Sequence, residues 1–562
     1  MRSLMKSTCV VALLACASCA DQSASERVRG DTTVGEEVVA DAVAAPNVAV
    51  VETRVMGGFV GGGAPLHPDN QTPAPLEWYG TDLGFSYHHN GDIKFLFGDS
   101  WAVESYAPIE ASSGPRFDDA FGSVAIEDWP DGAAITPDNI PRLVIGSNEG
   151  TREVAAINPG HVMDLGKTPM GGFSTGVEEF GVFNLTKPQA CQSDADCAGL
   201  SCALDLGILG APVSEEAGLS LPCAEGTPFC AAETIAGGAE PSGLCFDPSS
   251  FVDDPSAFGQ AAGAALKVRI GRRDASEPKR YSDTHDWLTS KFSNVAVRAV
   301  RKWALGNEDV DFGAPEGPGE DGKVFLWGRP GFVGNKAEGR ALGLYFAYVE
   351  MPVRGDFHWS PQYFAGLDAA GEPQFSSSQT DAVALDLDAA MPGYQGEQAD
   401  IVNQMSVIWE PTLQKWVMFY GGGLNNAPTA LLPICGVLQL FAGPQCESVD
   451  VGNGAIRMRT ADVPWGPWTA PQDVIVGGDP HEKASGQYGP GGLLRHPDCT
   501  EPDCADHSDS ATAYTDDEIG FFYSPNLIEE WTVADEDGVT LTWNVSTWDP
   551  YRVALLKTRL SR

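Results

Sequence analysis

A short strand of apolar and aromatic residues recurs five times along the chain, and this repeat constrains the fold more than any other feature. The copies are Phe95–Gly98, Phe180–Phe183, Val324–Gly328, Val417–Gly421 and Gly520–Tyr523. A second strand-like segment follows each copy, and turn residues rather than helical periodicity fill the gaps. The units recur about every 90 residues once one insertion is removed, which predicts an all-β, five-bladed β-propeller. A β-sandwich with long loops is the alternative that this pattern allows.

The composition agrees with an all-β chain and excludes some partners. Glycine (64 residues) and proline (40 residues) are frequent among the 562 residues, as turn-rich β proteins require. The formal net charge of −42 argues against binding to nucleic acid or to an anionic membrane surface. His88 and His89 lack a third ligand at metal spacing, and no EF-hand pattern occurs. We therefore expect neither a metal nor a cofactor.

The N-terminus is typical of an exported lipoprotein. Arg2 and Lys6 precede a short apolar run that ends in small residues, so residues 1–19 are predicted to be a signal peptide. Cys16 or Cys19 would be the lipidated residue; an ordinary secretory signal is the alternative. Residues 20–56 are predicted to be a flexible tether and residues 57–562 the propeller. We expect an outer-membrane or cell-surface lipoprotein, or otherwise a periplasmic or secreted protein.

Ten of the 13 cysteines lie beyond the leader, and an exported chain would oxidise them to disulfides. Six fall in a segment of few large apolar residues, 187–262, which is predicted to be a disulfide-rich insertion in the second blade. The six are Cys191, Cys197, Cys202, Cys223, Cys230 and Cys245. The other four form two pairs that are close in the chain, Cys435 with Cys446 and Cys499 with Cys504. The spacing does not determine which of the six cysteines pair.

Two carboxylates flank the first repeat. Asp82 lies on a glycine-flanked loop, and Asp99 comes just after the predicted strand Ile93–Phe97, with Gly98 between them. A hairpin through Asn90–Asp92 would bring both to one edge of a sheet, where two carboxylates suit cleavage of a glycosidic bond. The alternative is that each carboxylate caps its own turn.

Several motifs, in order, resemble the family described as domain of unknown function 4185. They are Gly80–Gly84, Phe95–Trp101, Thr168–Phe173, Gly366–Asp368 with Gly371–Pro373, Asn403–Ser406 with Trp416–Tyr420, Arg457–Ala461 with Trp465–Trp468, and Tyr551–Leu560. Characterised members are endo-D-arabinanases of glycoside hydrolase family 183, which are five-bladed β-propellers. The resemblance spans residues 57–560 apart from the insertion.

The resemblance implies a retaining glycosidase acting on a furanoside-containing polysaccharide such as D-arabinan. Asp99 would be the nucleophile and Asp82 the acid/base, kept protonated by the neighbouring charge and by partial burial. Retention requires the two carboxyl groups about 5–5.5 Å apart.

Five further residues are candidates for substrate binding. Trp101 could stack on a sugar ring or pack in the core. Asn403 and Gln404 precede a predicted strand and could bind hydroxyl groups. Arg329 directly follows the third repeat and could bind substrate or form a surface ion pair. Glu179 could supply a third carboxylate, although a solvated turn is the alternative.

Two functions remain open on the sequence. The first is a glycoside hydrolase with a polysaccharide substrate. The second is a non-catalytic carbohydrate-binding propeller, a lectin or scaffold, because the same fold carries many functions.

Overall fold

The computed structural model describes the strands and many of their connections. The described residues are 48–60, 81–98, 120–125, 135–137, 140, 144–145, 168–188, 190–191, 201–203, 243–246, 266–274, 277–300, 322–329, 336–337, 340–341, 343–351, 357–387, 402, 404–421, 455–478, 486–489, 492–495, 521–548 and 552–562. The predicted leader and most of the predicted tether lie outside them.

These residues form 26 strands. In chain order they are β1 (Ala49–Val60), β2 (Leu83–His89), β3 (Asp92–Phe97), β4 (Ala120–Ala125), β5 (Val144–Ile145), β6 (Thr168–Ser174), β7 (Glu179–Pro188), β8 (Ala190–Cys191), β9 (Ser201–Ala203), β10 (Gly243–Phe246), β11 (Leu266–Asp274), β12 (Glu277–Thr289) and β13 (Asn294–Val300). The second half comprises β14 (Gly322–Arg329), β15 (Lys336–Ala337), β16 (Arg340–Ala341), β17 (Tyr345–Met351), β18 (Gln362–Leu367), β19 (Pro373–Ser376), β20 (Met405–Glu410), β21 (Lys415–Gly421), β22 (Ile456–Ala461), β23 (Gln472–Ile475), β24 (Phe521–Asp535), β25 (Gly538–Trp548) and β26 (Arg552–Ser561). Two 3-10 turns, Gln379–Asp381 and Gly486–Tyr488, complete the described elements.

Five antiparallel sheets form the blades of a propeller, which confirms the predicted fold and excludes the sandwich. Blade 1 has the strand order β2-β3-β4-β5, blade 2 β6-β7-β11-β12, blade 3 β13-β14-β17-β18-β19, blade 4 β20-β21-β22-β23 and blade 5 β24-β25-β26-β1. Two small sheets, β8-β10-β9 and β15-β16, form in the connections within blades 2 and 3.

The innermost strands of the blades, β2, β6, β13, β20 and β24, contact one another in a closed ring. Residues near the start of all five line one axial cavity of about 10 Å³, which is room for a single water molecule. The five strands therefore begin at the same end of the propeller, which we call the N-terminal rim. Arg298 of β13, which also lines this cavity, forms an ion pair with Glu529 of β24.

Each pair of neighbouring blades encloses its own apolar core. Phe95 and Trp531 pack between blades 1 and 5, and Phe183 lies between blades 1 and 2. The other three clusters fill the remaining interfaces in the same way. Since both faces of each blade are buried, continuous apolar runs, rather than alternating ones, occupy the second strands.

The ring is closed by the first strand pairing with the last. β1 pairs with β26 from Ala49↔Ser561 to Val60↔Val553 and becomes the outer strand of blade 5. β1 thus begins inside the segment 20–56 that the sequence predicts to be a tether. Its β-branched residues find hydrogen-bonding partners only at the far end of the chain, so local composition gives no sign of the strand.

The predicted insertion leaves blade 2 between two paired strands. β7 pairs directly with β11, and the sheet β8-β10-β9 lies in the chain between them. The register of that sheet sets Cys245 opposite Cys202. None of the described helices is long and apolar enough to cross a membrane.

The predicted disulfides are not supported by the part of the chain that the structure describes. Three of the ten cysteines contribute only their backbone to described strands, namely Cys191, Cys202 and Cys245. The other seven lie outside the described residues: Cys197, Cys223, Cys230, Cys435, Cys446, Cys499 and Cys504. Since no cysteine side chain beyond the leader is described, the disulfide-rich character of the insertion and both close pairs stay predictions.

Phe59 of β1 provides a test of the closure. The side chain is fully buried, with ring centroids 5.1 Å from Phe95 and 6.3 Å from Trp531. Phe59→Ala should lower the free energy of unfolding by about 3–5 kcal/mol, since it removes a large side chain from a packed interface.

Val51→Ala is the matched control in the same strand, because Val51 is 59% exposed. In urea titrations of both variants and the wild type, Val51→Ala should change the free energy of unfolding by less than about 0.5 kcal/mol. Equal effects of the two substitutions would show that β1 does not close the ring.

Candidate active site

Asp82 lies on the N-terminal rim, immediately before the innermost strand of blade 1. The residue is 8% exposed. The Gly98 N–H donates to the Asp82 carbonyl over 3.1 Å, and the Thr81 hydroxyl donates to the Gly98 carbonyl over 3.0 Å. The hairpin of β2 and β3 therefore sets Asp82 beside the residue that precedes Asp99. Asp99 itself lies outside the described residues.

Because Gly98 has no side chain, the Asp82 carboxylate can pack directly against its backbone. A Cβ atom at this position would be 2.4 Å from Asp82 Oδ1 and 2.6 Å from Leu83 Cδ1. The glycine of the repeat thus has a steric role in the site, in addition to ending the strand.

A bulge fixes the backbone next to Asp82. Leu83 has φ 65° and Gly84 has φ 78°, and the register with β3 shifts between Leu83 and Phe85. A left-handed conformation costs a non-glycine residue about 1–3 kcal/mol, so the surrounding structure must hold it. Two residues of β25 do so: Ser546 Oγ accepts from Leu83 N over 2.7 Å, and Asn544 Nδ2 donates to the Gly84 carbonyl over 2.8 Å.

Tyr523 of blade 5 contacts the Asp82 carboxylate, and the sequence analysis did not identify this residue as part of a site. Its hydroxyl donates to Asp82 Oδ2 over 2.9 Å. In the sequence, Tyr523 ends the fifth apolar repeat and resembles a core residue. One sequence feature sets this repeat apart: no glycine follows Tyr523, whereas three of the other four repeats end in glycine.

Gln404 and Arg329 also lie at the N-terminal rim. Gln404 directly precedes β20 and is 8% exposed. Arg329 pairs with Asn294, the first residue of β13, and its guanidinium donates to the Val402 carbonyl. Burial lowers the pKa of Arg329 to about 9. The described contact of Arg329 joins blade 3 to the segment before blade 4, and its role in substrate binding stays a prediction.

Glu179 lies at the opposite end of the inner ring. It pairs with Ser174, the last residue of β6, and the Ser174 hydroxyl lies 2.7 Å from Nδ1 of His89, the last residue of β2. The length of β2 separates this end from Asp82 by roughly 20 Å. The structure therefore does not bring Glu179 to the carboxylate at the rim.

The carboxylate of Glu179 is instead part of a polar cluster between blades 1 and 2. Arg273 forms an ion pair with it at 3.0 Å, and the Tyr87 hydroxyl donates to it over 3.1 Å. Burial raises the pKa values of Tyr87 and of its neighbour Tyr281. This cluster is a structural contact between blades.

Three predicted site residues, Asp99, Trp101 and Asn403, lie outside the described residues. Among the side chains that the structure describes, no group of three histidine, cysteine or acidic residues could hold a metal ion. The absence of a metal stays a prediction for the chain as a whole.

Comparisons with known proteins give structural likeness only. No family model matches the chain, and no curated protein does so significantly. A putative hydrolase from Bacteroides ovatus is similar at 8% identity and TM-score 0.36, over 86% of this chain and 87% of that one. CoXyl43, a family 43 β-xylosidase/α-arabinofuranosidase from a compost metagenome, is similar at 8% identity and TM-score 0.32, over 92% and 96%. The α-L-arabinofuranosidase PaAbf62A from Podospora anserina is similar at 9% identity and TM-score 0.31, over 90% and 95%. Likeness at these values carries no argument about chemistry, and the resemblance to the family of unknown function 4185 stays a prediction.

Ser546 should be required for the bulge beside Asp82. Ser546→Ala leaves the Leu83 N–H without its acceptor inside a fully buried site. We expect a loss of about 1–3 kcal/mol in the free energy of unfolding, the cost of a buried donor that loses its acceptor. Ser378→Ala removes an exposed hydroxyl and should have an effect below about 0.5 kcal/mol. A silent Ser546→Ala would contradict the importance of this hydrogen bond.

The cluster at the far end of β2 should make stability depend on pH. Burial lowers the pKa of His89, which Lys94, Arg273 and His88 lower further and Glu179 raises. The unfolded chain thus binds more protons than the folded one below about pH 6.5, so stability is complete above that value and falls as the pH drops through the folded-state pKa.

His89→Gln should therefore reduce the difference in melting temperature between about pH 7.5 and about pH 5.5. His358→Gln, at an exposed position, should leave the difference as in the wild type. A His89→Gln protein with the full wild-type difference would contradict the assignment.

Proposed function

We propose that this protein is a glycoside hydrolase that cleaves a furanoside-containing polysaccharide, such as a D-arabinan, with retention of configuration. Asp82 is the general acid/base and Asp99 the nucleophile. Gln404 of the same rim is a candidate substrate-binding residue, and the sequence adds Asn403 and Trp101 as candidates.

The observation that supports this proposal most is the setting of Asp82. The carboxylate is 8% exposed, its backbone is bonded to Gly98, and one carboxylate oxygen accepts a hydrogen bond from Tyr523. The Tyr523 side chain, which comes from another blade, thus contacts Asp82 next to Gly98, the residue that precedes Asp99.

The proposed chemistry uses two carboxyl groups, that of Asp82 on the N-terminal rim and that of Asp99, which follows Gly98 in the chain. Asp99 attacks the anomeric carbon while Asp82 transfers its proton to the leaving oxygen, so that the glycosidic bond breaks as the glycosyl–enzyme bond forms. Asp82 then takes a proton from water, which displaces Asp99 and restores both carboxyl groups.

We further propose that the protein is exported and anchored through a lipid on Cys16 or Cys19, with the insertion 187–262 held by disulfides. The positive and apolar start of the chain and the ten cysteines beyond it support this proposal. An anchored enzyme would act on polysaccharide at the cell surface.

The test is oligosaccharide release from a panel of arabinans and arabinogalactans by the wild type, Asp82→Asn and Asp99→Asn. The wild type should release oligosaccharides. Asp82→Asn should be slower by about 10²–10⁴-fold, because it loses general acid/base catalysis. Asp99→Asn should be inactive, since an amide cannot form the glycosyl–enzyme.

Asp537→Asn, in an exposed turn between β24 and β25, is the matched control and should keep wild-type activity. Binding of a glycan without cleavage by any of the four proteins would favour the non-catalytic lectin. Wild-type rates of oligosaccharide release by both Asp82→Asn and Asp99→Asn would refute the two-carboxylate mechanism.

A further inference from the structure

A hydrogen bond between two blades suggests how Asp82 is controlled, an inference that rests on the proposed glycosidase function. Tyr523 Oη donates to Asp82 Oδ2 over 2.9 Å, although the two residues lie 441 positions apart in the chain. Tyr523 is opposite Ser546 in the sheet of blade 5, and Ser546 Oγ in turn accepts from Leu83 N. Tyr523 and the residue after Asp82 thus both contact Ser546 of β25.

Two neighbouring inner strands are distorted where they present these residues. Ser524 has φ 48°, and the register of β24 shifts between Tyr523 and Asn526. The bulge at Leu83 of β2 lies on the other side of the contact. Bulges of this kind re-aim side chains at the rims of β structures and next to active sites.

Side-chain bonds between the same two strands maintain the distortion. Asn526 Nδ2 donates to Ser86 Oγ over 3.0 Å, and Ser86 N donates to Asn526 Oδ1 over 3.2 Å. Asn526 and Ser86 are 3% and 9% exposed. The position of Tyr523 relative to Asp82 is therefore set by a buried framework and not by the tyrosine alone.

We propose that Tyr523 is a positioning residue that holds the Asp82 carboxyl group in one orientation and favours its ionised form. Its hydroxyl donates to Oδ2, while Oδ1 is buried against Gly98.

The same hydrogen bond favours the product of proton transfer. When Asp82 gives its proton to the leaving oxygen it becomes a carboxylate, and a donor that bonds to the charged form of an acid stabilises that form. Tyr523 keeps its own proton throughout. The Tyr523 hydrogen bond therefore increases the rate most when the leaving group needs protonation, and little when the leaving group departs as a stable anion.

The test compares Tyr523→Phe with the wild type on two substrates, the polysaccharide and a dinitrophenyl furanoside, whose leaving group needs little protonation. The phenylalanine keeps the ring and removes only the hydroxyl. On the polysaccharide, kcat should fall about 10–100-fold, the size expected for a hydrogen bond to a charged group, with KM within about twofold of the wild type. On the dinitrophenyl substrate kcat should change less than about threefold.

The pH profile gives a second readout that a purely structural residue would not move. The alkaline limb of kcat should shift to higher pH in Tyr523→Phe, because the carboxylate form of Asp82 loses a donor. Tyr348→Phe, on β17 in blade 3, is the control and should leave both substrates and the profile unchanged.

The outcomes separate the two proposals. A wild type that cleaves neither substrate refutes the glycosidase function, and the role of Tyr523 with it. A wild type that cleaves both, with a Tyr523→Phe variant that is unchanged or equally slowed on both substrates, refutes the role of Tyr523 and leaves the glycosidase function standing.

Discussion

The packing of each blade against its two neighbours is the interaction on which the rest of the structure depends. A blade whose strands are apolar on both faces is stable only when another sheet covers each face. Five such blades can all cover both faces of one another only when they are arranged in a closed ring. The strand β1 completes that ring by pairing with β26, and its Phe59 packs against Phe95 of blade 1. Because closure fixes where every inner strand begins, it also fixes the position of Asp82 relative to Tyr523 on the neighbouring blade.

Buried cations secure the segments that surround the rim. Lys291 donates to the carbonyls of Gln379 and Ala382 over 2.9 and 3.0 Å, and Arg552 donates to the carbonyl of Leu493 over 2.8 Å. Arg329 binds the backbone before β20 in the same manner. In a chain of net charge −42, these cations are held by backbone dipoles in the interior. The rim therefore combines strained strand ends with connections that are tied to the body of the propeller.

The sequence predicts the second strand of a blade much better than the first. Four of the five apolar repeats are β3, β7, β14 and β21, which are buried between neighbouring blades and so carry continuous apolar runs. The fifth is an inner strand, β24. Its partner β25 carries no continuous apolar run, because apolar residues alternate there with polar ones such as Asn544 and Ser546. The sequence draws attention to Asp82 because glycines flank it, and the catalytic role of Asp82 stays a prediction. The sequence does not draw attention to Tyr523, because its contact with Asp82 depends on ring closure across the whole chain.

The most direct measurement of the central claim is covalent labelling of the proposed nucleophile. If the proposal holds, a 2-deoxy-2-fluoro furanoside with a good leaving group should inactivate the protein by forming a glycosyl–enzyme that turns over slowly. We predict that mass spectrometry of the proteolysed protein finds the sugar on Asp99, and that Asp99→Asn is not labelled. Polysaccharide cleavage by a protein that is labelled at another carboxylate would contradict the assignment of Asp82 and Asp99 as the reactive pair.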